Sequence, residues 1–120
     1  MSKTFGRKAI EVDAGGALNC PDCGDNYLHH RGTTIFERSE DESLTTVIAQ
    51  NGRTAQVSDF PSDDTCNPSS RRNGVIIEFE CEQCHGYAWD PVKEEEIKSN
   101  EPPLRLAVIQ HKGNTFMEWL

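Results

Sequence analysis

Two short cysteine motifs constrain this chain more than anything else in it. The first is Cys20-Pro21-Asp22-Cys23-Gly24 and the second is Cys81-Glu82-Gln83-Cys84-His85-Gly86. A tight turn aims both sulfurs of a C-x-x-C pair at one point, and the glycine that follows accepts the backbone angles such a turn demands. Two turns of this kind, facing each other, supply four thiolates in a tetrahedron, the set that a structural Zn²⁺ takes. Residues 24–80 separate the two pairs, a longer span than paired knuckles usually have. The pattern predicts one zinc site, ligated by Cys20, Cys23, Cys81 and Cys84, that clamps a long excursion of the chain.

The same cysteines admit other chemistries. Cys81-x-x-Cys84-His85 has the spacing of a c-type haem attachment, but that chemistry needs export and leaves the first pair unexplained. A thioredoxin-like pair belongs at a helix N-terminus in a βαβ pattern, and the surroundings here read as strand. Iron of the rubredoxin type uses the same four thiolates as zinc. His29 or His30 is an alternative ligand, although both read more simply as strand residues, one facing in and one out. Cys66 reads as a spare thiol, and His111 has no expected metal role. Four cysteines close the coordination shell, so a catalytic zinc with an open position is not expected. No H-E-x-x-H, Walker loop, deaminase signature or serine elbow occurs, and the expected class is not an enzyme.

Composition fits a staple. Hydrophobic residues are 35% of 120, a thin supply for one core. A structural zinc contributes about 10–16 kcal/mol in finger peptides, comparable to the stability of a whole domain. Residues 1–17 read as a flexible leader and 18–120 as a single zinc-stapled domain. The formal net charge of −8 argues against general binding to phosphate backbones and suits a protein that meets other proteins. No apolar run is long enough for a membrane helix, and no secretion signal follows the basic start, so the expected compartment is the cytoplasm. An odd number of cysteines, five, fits a metal site with one left over better than a disulfide set.

Strand signals dominate the rest. Residues 27–31 and 33–37 are rich in β-branched and aromatic side chains, with Gly32 marking a bulge or break. Residues 44–50 and 53–58 flank Asn51-Gly52, a strong hairpin signal. Residues 59–74 read as a long polar loop. Val75, Ile77, Phe79 and Cys81 alternate onto one strand face, with Ile76 out of pattern. Asp90-Pro91 reads as a helix start, with a short helix over residues 92–99. Residues 104–110 and 115–120 read as strands joined by a turn at 111–114. Candidate core residues are Leu28, Ile35, Phe36, Val75, Ile77, Phe79, Leu106, Val108, Phe116 and Trp119.

With these residues in view, the chain resembles the zinc-ribbon proteins and the wider rubredoxin-like group. Cys20-Pro21-Asp22-Cys23-Gly24 is similar to their C-P-x-C-G knuckle, and the resemblance covers the two knuckles and adjoining strands. The general layout also resembles that of small phage and plasmid proteins. The strand signals and the resemblance together predict a mainly β fold: an antiparallel sheet of about five to seven strands, zinc-ribbon-like, with at most one short helix, and with a long insertion between the knuckles by which the chain departs from the family. Zinc ribbons serve as docking modules, as nucleic-acid modules and as staples, and the fold does not choose among them. The expected function is a non-enzymatic protein-interaction module, such as an acidic inhibitor or adaptor on a mobile genetic element. The alternative is nucleic-acid binding through Arg71, Arg72, Lys3, Arg7 and Lys8, with Tyr87 and Trp89 as stacking groups. Arg71 and Arg72 are also candidates for clamping a phosphate or carboxylate, against internal pairing with Asp63, Asp64 or Glu78.

Overall fold

The computed structural model describes residues 9–82, 87–90, 95–98 and 104–120. Strand accounts for 55% and helix for 3%, so the fold is mainly β. The strands in chain order are β1 Leu28–Glu37, β2 Leu44–Asn51, β3 Thr54–Pro61, β4 Gly74–Cys81, β5 Tyr87–Asp90, β6 Glu95–Lys98, β7 Leu104–His111 and β8 Asn114–Trp119. Six of them form one antiparallel sheet in the order β3-β2-β1-β4-β7-β8, and β5 pairs with β6 apart from it. The strand count exceeds the five to seven expected because the expected helix over 92–99 is not formed. Glu95–Lys98 instead pairs with Tyr87–Asp90 as a second small sheet. A two-turn helix has little cooperativity of its own, whereas a strand with two aromatic positions offers ready backbone partners.

Local signals place the turns. The ladder between β1 and β4 shifts register between His30 and Gly32, the bulge that the glycine marks. The first hairpin is closed by Gly52-Arg53, not Asn51-Gly52, because Asn51 pairs with Thr54 and adds one more rung. Gly52 then takes the positive φ, +65°, that the first position of such a two-residue turn requires. The second hairpin turns on Lys112 and Gly113, both at positive φ. The expected polar loop begins late: β3 runs through Pro61, and a single 3₁₀ turn, Ser62–Asp64, follows.

Cross-strand partners share a sheet face, so the register sorts the side chains into four quarters. At the cysteine end of one face, here the front, lie Leu28, Phe79, Cys81, Leu104, Leu106 and Trp119. Residues 9–27 fold over them: Cys20 joins the buried cluster, and Ile10 and Leu18 pack against it. Phe79 meets Trp119 edge to face, ring centroids 5.8 Å apart. On the back face at the opposite end, Phe36, Thr45, Ile76, Ala107 and Ile109 are buried. The segment 62–73 lies over them, held by Thr45 Oγ1 to Ser62 Oγ at 2.7 Å and by Ser69 Oγ, which donates to the Gln110 carbonyl at 2.8 Å. The back face at the cysteine end is polar, with His29, Glu78, Glu80, Arg105 and Glu118. The remaining quarter, at the front, carries Ile35, Ile48, Val57, Val75, Ile77, Val108 and Met117. That quarter is apolar, yet Val57 is 68% and Met117 52% exposed.

Of the candidate core, Phe36, Leu106 and Trp119 are buried and Leu28, Ile35, Val75, Ile77, Phe79 and Val108 half-buried. Phe116 is a correction: it lies on the edge strand β8 and is exposed. Ile76, out of pattern in the sequence, is buried because the 62–73 segment covers the face that alternation assigns to solvent. Within the expected leader, residues 9–17 carry structure: Val12 bridges Leu18, while residues 1–8 lie outside the described residues.

Candidate metal centre

The first cysteine pair is shaped by its own backbone. The Cys20 N–H donates to the Asp25 carbonyl at 2.7 Å, and the Gly24 N–H donates back to the Cys20 carbonyl at 3.0 Å. Gly24 closes this turn at φ +82°, a conformation that a Cβ disfavours. The Asp22 N–H points at Cys20 Sγ, 3.4 Å away. Asp13 fastens the covering hairpin to this turn. Its Oδ1 accepts from the Gly15 and Ala17 amides at 2.9 Å, and its Oδ2 accepts from Asn26 Nδ2 at 2.8 Å. These bonds, Asn26 foremost, hold the Asp13 carboxyl below its ordinary range.

Sheet topology delivers Cys81. The turn at Cys20–Gly24 runs into β1, and the first residue of β1, Leu28, pairs with Cys81, the last of β4. The Glu82 N–H extends the ladder to the Tyr27 carbonyl at 3.1 Å. The long excursion between the cysteine pairs is therefore four strands and a loop, with the last strand, β4, returning antiparallel to the first, β1. Cys23 Sγ and Cys81 Sγ end 3.5 Å apart. The sulfurs of Cys20, Cys23 and Cys81 all lie within 4.8 Å of one another. Metal–sulfur bonds of about 2.3 Å in a tetrahedron put sulfurs about 3.8 Å apart, so this spacing fits one ion. Cys20 and Cys81 are buried and Cys23 is exposed. These three residues are close enough to hold a metal ion. The fourth expected ligand, Cys84, lies outside the described residues, as does His85.

The other candidates sit elsewhere. His30 faces front and His29 back, both exposed, with His29 Nε2 2.9 Å from Glu82 Oε1. Cys66 is exposed, in the segment that crosses the far end of the back face. Arg71 and Arg72 are engaged with carboxylates, though not Asp63, Asp64 or Glu78. Arg71 Nε donates to Asp41 Oδ1 at 2.8 Å, and Arg72 Nη2 donates to Glu40 Oε1 at 2.7 Å. The Arg71 hydrogen bond holds Asp41 below the usual carboxylate range, and the pair raises the Arg71 guanidinium in turn. Asp41 and Arg71 lie 30 residues apart in the chain. Their meeting depends on how the 65–73 segment crosses the sheet, which no local signal encodes. The Asp13 network had a local signal, an Asp-x-Gly turn of the Asx type at 13–15.

The fold and the cluster define a small antiparallel β protein with a cysteine site of metal-binding geometry. Compared with family models, with curated proteins and with solved structures, the chain matches none. Among the described residues, no helix is long and apolar enough to cross a membrane.

Proposed function

We propose that this chain is a zinc-stapled docking module of the zinc-ribbon kind. One structural Zn²⁺ is held by Cys20, Cys23, Cys81 and Cys84, and the protein works by binding another protein, not by catalysis. The docking reading rests on the apolar front quarter of the sheet, where Leu44 at 55%, Val57 and Met117 remain exposed. Sheets bury their apolar faces against a second layer, and contiguous exposed apolar surface of this kind marks interaction sites. The negative net charge suits an acidic adaptor or inhibitor that meets a basic surface. A nucleic-acid role gains no support from Arg71 and Arg72, since each guanidinium already faces a carboxylate.

Two measurements test this reading. Elemental analysis of protein purified without added metal should find one zinc per chain, and Cys81→Ser should lose both the metal and the cooperative unfolding transition. A folded, metal-free variant contradicts the staple. A partner captured from the native host, then purified, should bind the wild type and lose binding to Val57→Asp/Met117→Asp, while that variant keeps its zinc. Unchanged binding contradicts docking on this face.

A further inference from the structure

The open quarter ends in a cleft of about 780 Å³ beside the 38–42 turn. On its sheet floor Leu44, Val75 and Val108 lie beside the polar Thr46 and Gln110. Its walls carry four carboxylates, Glu37, Glu40, Glu42 and Asp59, against two guanidiniums, Arg38 and Arg72. Of the two guanidiniums, Arg72 is neutralised by a carboxylate and Arg38 is held by backbone carbonyls and keeps its charge, so the carboxylates still outnumber the cations. Arg72 pairs with Glu40, and Arg38 donates from Nε to the Glu42 carbonyl at 2.8 Å and from Nη1 to the Ser70 carbonyl at 2.9 Å. Among the described residues, Glu37, Glu42 and Asp59 are in no ion pair. Asp59 Oδ1 accepts from the Thr46 hydroxyl at 2.6 Å, which fixes its carboxylate without neutralising it.

We infer that this cleft binds an extended protein segment in which Lys or Arg alternates with apolar residues. The inference rests on the docking reading above and adds the partner's chemistry. Apolar side chains of the segment lie on Leu44, Val75 and Val108, and its cations face Glu37, Glu42 and Asp59. Charge complementarity of this kind sets partner choice and speeds encounter more than it adds affinity. A second copy of this chain is disfavoured, because it would bring the same carboxylates together on a chain of net charge −8. Phosphate backbones are repelled for the same reason.

The test uses the zinc-loaded full chain labelled with ¹⁵N and two synthetic heptapeptides, one alternating Lys and Val, the other Glu and Val. The lysine peptide should shift the amide signals of Leu44, Val75, Val108 and Gln110, with affinity falling at least tenfold between 50 and 500 mM NaCl. The glutamate peptide should leave them unmoved. Neutralising the walls with Glu37→Gln, Glu42→Gln and Asp59→Asn should cut lysine-peptide affinity at least tenfold. Reversing them with Glu37→Lys and Glu42→Lys should transfer the preference to the glutamate peptide. Equal binding of the two peptides, shifts confined to other surfaces, indifference to the wall substitutions, no binding at millimolar peptide, or dimerisation of the chain through this face overturns the inference. A host partner that ignores the wall substitutions but is lost on Val57→Asp/Met117→Asp overturns the cleft alone. One that ignores both sets overturns the docking reading as well.

Discussion

Gly74→Ala is the substitution whose cost can be worked most directly from the structure. Gly74 opens β4 beneath the 62–73 segment and is buried. A Cβ there would stand 2.3 Å from Asn67 Oδ1 and 2.8 and 2.9 Å from Cγ and Cδ of Pro68. Relief requires the Asn67 amide to move by roughly an ångström, since ordinary contacts of this kind begin above 3 Å. That amide is held at both ends: Oδ1 accepts from the Ser69 N–H at 3.0 Å, and Nδ2 donates to the Arg72 carbonyl at 2.9 Å. Two bonds at about 1 kcal/mol each, or overpacking at about 1–3 kcal/mol, set the penalty. The lower entropy of an unfolded alanine offsets about 0.4–1 kcal/mol of it. The net expectation is a loss of about 1–1.5 kcal/mol. With a urea slope of about 2 kcal/mol per molar, the unfolding midpoint of zinc-loaded protein should fall by about 0.6 M at constant slope. The same loss measured in an Asn67→Gly background should shrink, because the nearest clashing atom is gone, while Pro68 keeps part of the penalty. A midpoint at or above wild type, or full additivity of the two substitutions, refutes the steric argument.

Three further outcomes follow from local chemistry. Lys112 holds φ +50° as the first residue of the β7–β8 turn, a position that favours Asn, so Lys112→Asn should stabilise by about 0.5 kcal/mol in a urea melt. Glu118 has one carboxylate oxygen, Oε1, out of water and without a partner, and burial pushes its pKa up. Its charged form therefore opposes folding above the folded pKa and costs nothing below the unfolded one. Glu118→Gln should stabilise slightly at pH 7, and the gain should vanish in melts run below the ordinary glutamate pKa. Asp41 is held low by Arg71, so this pair supports folding above the unfolded aspartate pKa and fades as pH falls through the folded one. In Arg71→Ala, the Asp41 titration followed by NMR should return to the ordinary carboxylate range.

What the sequence made legible was chemistry with a short range. Cys20, Cys23 and Gly24 specify their turn within five residues, and Gly32 marks its bulge, because the backbone angles are decided by neighbours in the chain. Alternation over residues 75–81 identified a strand but not its more deeply buried side. Val75 and Ile77 point to the open front quarter, while Ile76 points under the 62–73 segment. Which side is covered depends on a loop whose anchors, Ser69 on Gln110 and Asn73 on Arg38, are long-range hydrogen bonds from polar residues with no periodic signature. The short helix expected at 92–99 failed for a related reason. An Asp-Pro start is a local preference, and the partner that outcompetes it, β5, becomes available only once the chain turns back on itself. The pairing of Arg71 and Arg72 with Asp41 and Glu40 likewise joins segments that no window along the sequence holds together.

The placement of cover gives the proposed metal a structural role at the cysteine end. The main sheet has two apolar quarters under cover, diagonal to each other: front at the cysteine end, back at the far end. The back quarter is roofed by a segment tied down through Ser62, Ser69 and Asn73, all by hydrogen bonds into the sheet. The front quarter is roofed by residues 9–27, whose apolar contribution to the buried cluster is Ile10, Leu18 and Cys20. Three such side chains contribute less than about 5–9 kcal/mol of burial, since Ile10 and Leu18 are only partly buried, against an ordering cost of about 1–2 kcal/mol for each backbone residue of the segment. A roof of that length cannot hold itself down on apolar contact. The zinc proposed above, shared by the sulfurs of Cys20, Cys23 and Cys81, would attach it at the strand end where β1 and β4 meet, and the stabilisation of a structural zinc is of the size required. Chelation should therefore expose the Phe79–Trp119 pair first and leave the roof over Ile76 and Ile109 in place. Tryptophan fluorescence should respond before the amides of β2 and β3 lose protection from hydrogen exchange, and simultaneous loss of both would mean that the two covered quarters are one cooperative core.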